Sequence, residues 1–124
     1  MPSGYNLKQL IQNEIRPILR KEDGNREAMH LYSLGTYWVA FETSAFQLAC
    51  RCTGASIIPL RIREVPHPVL AACVHRKDLP ACSQRLERMT LPAPHVDLGR
   101  YRQWREKKLE WFLEDMEKVK NRKA

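Results

Sequence analysis

The stretch HLYSLGTYWVAFETSAF, residues 30 to 46, sets Tyr32, Tyr37, Trp38 and Phe41 around Gly35 and then changes its hydrophobic period. From His30 to Phe41 the β-favouring residues Tyr32, Tyr37, Trp38, Val39 and Phe41 predict a strand. Gly35 marks a bulge or a place where another backbone comes close. In Glu42 to Cys52, Ala45, Phe46, Ala49 and Cys50 fall at helical spacing, with Thr43 or Ser44 available as a cap and Gly54 placed to end the helix. Strand followed by helix is the expectation, and it leaves one question open. The aromatic residues are either core or a surface made to touch something flat, such as a base.

Working outward, Leu7, Leu10, Ile11, Ile15, Ile18 and Leu19 recur at three- and four-residue steps and predict a helix from Tyr5 to Lys21, with Asn6 as a cap and Pro17 kinking or shortening it. The polar KEDGNRE, residues 21 to 27, reads as a loop. Downstream, residues 57 to 65 alternate Leu60, Ile62 and Val65 with Arg61 and Arg63, which predicts a strand showing both arginines on its outer face, with Pro59 at an edge or bulge. VLAACVHRK, after Pro66-His67-Pro68, reads as a short helix with Pro68 in its first turn. LPACSQRLERM fits a short strand or a helical turn equally. Asp97 is placed to cap a long amphipathic helix over 97 to 122, in which Leu98, Tyr101, Leu109, Phe112, Met116 and Val119 form a stripe flanked by Trp104 and Trp111.

That order of elements predicts a small α/β domain, residues 1 to 124, with a mixed sheet flanked by helices. The length of 124 residues, 44% of them hydrophobic, suffices for a core without disulfide staples. A formal charge of +7 suits a polyanionic partner without requiring one. No apolar run approaches the roughly 20 residues needed to cross a bilayer, and MPSGYNLKQL lacks the pattern of a secretion signal, so the chain is read as cytoplasmic with no membrane partner. In a reducing compartment Cys50, Cys52, Cys73 and Cys82 are expected to be buried thiols.

Motifs for catalysis are sparse. There is no phosphate-binding glycine loop, no G-x-S-x-G and no H-E-x-x-H, and Glu42, Glu64, Asp78 and Glu87 lie in no recognisable catalytic pattern. Cys50-x-Cys52 with His30, His67, His75 and His95 scattered is a poor metal set, so neither metal nor cofactor is expected. A cysteine enzyme would need a thiol in a cleft beside His67 or His75. The basic residues point elsewhere. Arg51, Arg61, Arg63, Arg76, Lys77, Arg85 and Arg88 give residues 28 to 96 seven positive charges against four negative, interleaved with Tyr32, Tyr37 and Trp38. That mixture can hold phosphates and stack on bases, although the same letters describe aromatic core and solvated arginines.

The line MHLYSLGTYWVAFETSAFQLACR resembles the first block of the N-terminal, mismatch-recognising domain of the MutS DNA repair family, in which a strand runs into Gly-Asp-Phe-Tyr-Glu-Leu-Phe and then a helix. Gly35-Thr36-Tyr37-Trp38-Val39-Ala40-Phe41 stand at the corresponding letters. Gly54-Ala55-Ser56, Pro59-Leu60, Val65-Pro66-His67 and Ala81-Cys82-Ser83-Gln84 are similar to later turns and strands of the same domain, in the same order, over roughly residues 30 to 84. The resemblance implies a non-catalytic protein with a mixed sheet that acts on DNA or RNA. It implies Tyr37 at the position of the family's stacking Phe, and Val39 at that of its base-bonding Glu, where no hydrogen bond can be accepted.

The resulting expectation is an accessory protein serving a bacterial retroelement or a repair complex beside a larger partner, such as a reverse transcriptase or repair factor. Tyr37 or Trp38 would stack on a base, and Arg51, Arg61 and Arg63 would hold phosphates. The alternative is a protein-interaction module using the C-terminal helix, with no role for nucleic acid.

Overall fold

The structure is a computed structural model that describes residues 7–79, 88–92 and 96–123, the side chains of 116–123 excepted. Asn6, Cys82 and most of the ambiguous segment after Leu79 lie outside these residues. The chain forms α1 (Leu7–Glu22), β1 (Ala28–Leu34), β2 (Tyr37–Phe41), α2 (Glu42–Arg51), β3 (Ser56–Leu60), β4 (Val69–His75), β5 (Arg88–Pro92) and α3 (Leu98–Lys123). The strands make one sheet in the order β3-β4-β2-β1-β5. The mixed α/β class is as expected.

Several elements differ from what their own letters predict. The sheet is antiparallel at each of its four pairings, not mixed. β2 and β3, joined through α2, do run parallel, but β4 lies between them and bonds to both. The segment after Pro68 is not a helix but β4, paired on both sides. Short apolar runs after a proline carry no periodicity that separates the two states, and tertiary pairing overrides the helix preference of Ala71 and Ala72. Their small side chains have a use in the sheet. Phe41 stands opposite Ala71, so the bulk of its ring on β2 faces space on β4.

The opening stretch holds two strands, not one. Leu34 pairs with Tyr37 across Gly35-Thr36, and Gly35 has φ 73°, the left-handed value that the first position of a II′-type two-residue hairpin requires. α1 runs unbroken through Pro17 to Glu22. Pro59 sits in β3, at the sheet edge as expected, because proline cannot donate to a second neighbour. Asp97 caps α3 as read, its Oδ1 accepting from the N–H groups of Gly99 at 2.9 Å and Arg100 at 3.3 Å.

Alternation along β2 sorts the core into two layers. Val39 and Phe41 face α1 and pack with Leu10, Ile15 and Ile18, whereas Trp38 and Ala40 face α2 and pack with Ala45 and Leu48. α3 joins the second layer through Trp104. Phe46 of α2 meets Tyr101 and Trp104 with ring centroids 6.1 and 5.3 Å apart.

Candidate nucleic-acid interface

Tyr37 has the parity of Val39 and Phe41, so its ring stands on the α1 side of the sheet. α1 covers the other end of that face, where Glu22 at its C-terminus meets Ser44. Tyr37 is therefore left 48% exposed at the hairpin, unlike Val39 and Phe41, which are fully buried. Across the β2–β4 pairing it lies opposite His75, and the two rings meet edge to face with centroids 5.3 Å apart. The π-face of Tyr37 is braced at its edge and still open to a ligand. Lys77 is exposed two residues beyond His75. On the same face of the sheet, Arg88 of β5 lies 5.6 Å from the Tyr32 ring and pairs with Glu14 of α1.

The other residues singled out from the sequence do not gather here. Trp38 is fully buried under α2, on the opposite side of the sheet, so it cannot stack on a base. Adjacent residues in a strand point to opposite faces, and letters alone do not say which face is open. Its ring instead carries the Arg76 guanidinium, 4.3 Å from the centroid. Arg76 is tied to the hairpin turn, its Nε donating to the Gly35 carbonyl at 2.6 Å and its guanidinium also bonding the Ser33 hydroxyl. Cation and indole together clamp β1, β2 and the end of β4.

Arg51 ends α2 and donates to the Pro92 carbonyl of β5 at 3.3 Å. Arg61 and Arg63 are exposed, as expected, but they follow β3 rather than lying in it. Leu60 pairs with Val69 and Tyr37 with His75, so Arg61 sits about 20 Å along β4 from the Tyr37 ring. Arg51 and Arg61 flank opposite edges of the sheet, about 19 Å apart across five strands. The three arginines form no common phosphate track with Tyr37.

Sequence reasoning missed a polar junction at the far end of β2. Glu42 follows Phe41 with φ 47°, a left-handed backbone that costs a non-glycine residue of order 1–3 kcal/mol. Its carboxylate accepts from the Tyr101 hydroxyl at 2.7 Å and from Arg105 Nε at 2.9 Å and Nη2 at 3.3 Å. Burial, and then the Glu42 charge, hold the Tyr101 hydroxyl far above its ordinary range. Burial alone would lower Arg105, yet its bonds to Glu42 prevail and keep it more firmly charged.

Behind Glu42, the buried Glu22 carboxylate accepts from the Ser44 N–H at 2.9 Å and the Ser44 hydroxyl at 2.7 Å. Glu22, not Thr43 or Ser44, is thus the cap of α2, supplied from another helix and well placed for the helix dipole. Thr43 instead donates to the Glu22 backbone carbonyl at 2.9 Å. Burial pushes the Glu22 carboxyl up, against the lowering pull of its bonds from Ser44. An open cleft of about 610 Å³ between Glu22, Glu42, His67, Tyr101 and Arg105 borders the junction. No sequence signal could have found it, because its members come from three helices and are joined only by the fold.

Burial raises the thiol pKa of Cys73 and, with Asp78, that of Cys52, which suits partly packed thiols rather than nucleophiles, whereas Cys50, expected to be buried, is exposed near the end of α2. Among the described residues no group of three or more His, Cys, Asp or Glu could hold a metal ion. No helix there is long and apolar enough to cross a membrane. In comparisons with known proteins, the chain matches no family model, no curated protein and no solved structure.

Proposed function

We propose that the protein is a non-catalytic nucleic-acid-binding accessory protein that captures an unpaired base on Tyr37. The observation that carries this reading is the half-exposed Tyr37 ring, set against His75 at the start of a strand whose other residues are buried. An aromatic on an open sheet face is a stacking platform, and stacking on one base is worth about 1–3 kcal/mol. A cation for the backbone comes from Lys77, exposed two residues beyond His75, in place of Arg51, Arg61 and Arg63. The charge of +7 supplies a general attraction to polyanions. The likeness of Gly35-Thr36-Tyr37 to the MutS block supports the same ring, and Val39, buried beneath α1, supplies no base-reading group.

Fluorescence anisotropy with labelled single-stranded, duplex and mismatched DNA and with RNA, over a range of salt, tests the reading. Tyr37→Ala should weaken binding by about 5- to 150-fold, Tyr37→Phe should retain it, and Lys77→Ala should flatten the salt dependence by about one ion. Arg61→Ala/Arg63→Ala should cost far less than Tyr37→Ala. The reverse ranking, or no binding at low salt, would remove the sheet-end site.

A second reading rests on α3, where Trp111 and Leu113 are 59% and 56% exposed. The rings and hydrogen bonds that fasten this helix to the domain belong to Tyr101, Trp104 and Arg105, near its start. Beyond them, large apolar side chains in solvent suit a protein-interaction helix.

A further inference from the structure

We propose that the groove between α1 and the segment after β3 is a docking site for an acidic amphipathic helix of a partner protein. It is separate from the Tyr37 surface, since Arg61 sits about 20 Å along β4 from that ring. Arg61 and Arg63, which take no part in a track with Tyr37, have a use here.

The groove encloses about 630 Å³. Leu7 and Ile11 of α1 form one wall and Leu60 and Ile62 the other. All four pack against the core layer under α1 and stay half-buried, so their open sides make an apolar floor that the fold already holds in place. Among the described residues that line the groove there is no aromatic ring, so a base would find nothing to stack on.

Both walls carry cations. Lys8 of α1, and Arg61 and Arg63 across from it, are exposed and form no ion pair among the described residues. The acid in the groove, Glu64, is already matched by Arg16 at 3.2 Å. Unmatched cations on both sides of an aliphatic floor suit a guest with a central apolar stripe and carboxylates along both flanks. An acyl chain with one carboxylate would answer only one wall.

Backbone bonding selects a helix as that guest. Pro59 sits on this edge of the sheet with no N–H to offer, so an extended guest gains no continuous ladder there, whereas a helix satisfies its own backbone. Leu7 and Ile11 are about 6 Å apart along α1, a step that a guest helix matches with apolar residues at three- and four-residue spacing. α3 of a second copy is not this guest. Trp111 and Leu113, two residues apart on one continuous helix, face opposite ways, and Lys107 and Lys108 stand beside Trp111. The acidic amphipathic face comes from a different protein.

Fluorescence anisotropy of the full chain with labelled synthetic peptides tests this. The probe is a helical peptide with leucines at three- and four-residue steps flanked by glutamates, beside one counterpart with lysine for each glutamate and another with serine for each leucine. Circular dichroism confirms that each protein variant is folded. The acidic probe should bind saturably, and both counterparts at least about tenfold more weakly, since one loses its charge match and the other its apolar burial. Arg61→Glu/Arg63→Glu and Lys8→Glu, all at exposed positions, should each weaken the acidic probe, and Arg61→Glu/Arg63→Glu should strengthen the lysine counterpart. Tyr37→Ala should leave the acidic probe unchanged. Absence of saturable binding overturns the proposal, as does a serine counterpart that binds equally well, which would reduce the effect to general attraction to a basic protein. Indifference to Arg61→Glu/Arg63→Glu places the peptide elsewhere and overturns it too. Labelled oligodeoxythymidine, run beside the peptides, should lose far less affinity in Arg61→Glu/Arg63→Glu than in Tyr37→Ala. Equal losses would make the groove part of a nucleic-acid surface and overturn a protein guest.

Discussion

The two ends of β2 are built in opposite ways. It begins at Tyr37, a large ring left half in solvent with one aromatic neighbour, and ends at Phe41-Glu42, where a buried carboxylate is held by side chains from α3. At the second end the polar groups are spent on one another, joining α1, α2 and α3. At the first end a costly apolar surface has no use inside the molecule. Polar richness therefore marks a joint in this protein, and apolar exposure marks the place to look for a ligand.

The widest gap should appear between adjacent residues of that strand. Trp38→Ala should cost about 3–5 kcal/mol in urea or thermal unfolding, since it empties a fully buried site and strips the Arg76 guanidinium of its platform. Tyr37→Ala should change stability by no more than about 0.5–1 kcal/mol, because half the ring is already hydrated. Similar losses at the two positions would mean that Tyr37 is core and would erase the contrast between the ends of β2.

At the other end, Arg105→Ala strands the Glu42 carboxylate. Its side chain is 9% exposed and that of Arg105 21%, so the loss should fall somewhat below that of a fully buried pair, at about 2–3 kcal/mol. The backbone offers a finer test. Glu42→Ala and Glu42→Gly delete the same bonds, but only glycine relieves the left-handed φ of 47°. Glu42→Gly should therefore be the more stable of the two by about 1 kcal/mol. If alanine were equally stable, the strain would not be real, and the junction would lose its claim to hold the backbone against its preference.

How much of this was legible in the sequence follows from the range of each interaction. α2, α3 and the Asp97 cap depend on residues within a turn or two of one another, and their letters predict them. The edge position of Pro59 is equally local, because it follows from a missing N–H. β4 is not legible in its own alanines, because what decides it is pairing with β2 and β3. Tyr37 and Trp38 look alike in sequence because exposure belongs to the sheet's two coverings, and α1 stops short of one residue while α2 covers the other. The Glu22–Ser44 cap joins residues 22 positions apart, and the Glu42–Arg105 pair 63. Neither spacing has a signature that chance does not also produce.

The smallest effect concerns Glu22, and whether it is a buried joint or a merely polar one. Its carboxyl has a folded pKa raised above 4.5 by burial, so the native state holds that proton more tightly than the unfolded chain does. The stabilisation from protonation is complete below about 4.5 and is lost as pH rises through the folded value. Glu22→Gln has no such titration. Because the amide keeps one acceptor for Ser44 but brings N–H donors, a constant offset from wild type is expected, of either sign. The informative quantity is the change in that offset with pH. Stability of Glu22→Gln relative to wild type should increase on going from about pH 4 to pH 7, since only the wild type must then bury a charge. A flat offset would show that the bonds from Ser44 and Asn25 fully compensate the loss of water. A decline would show that they overcompensate, and that the charged carboxylate is the form this joint is built to hold.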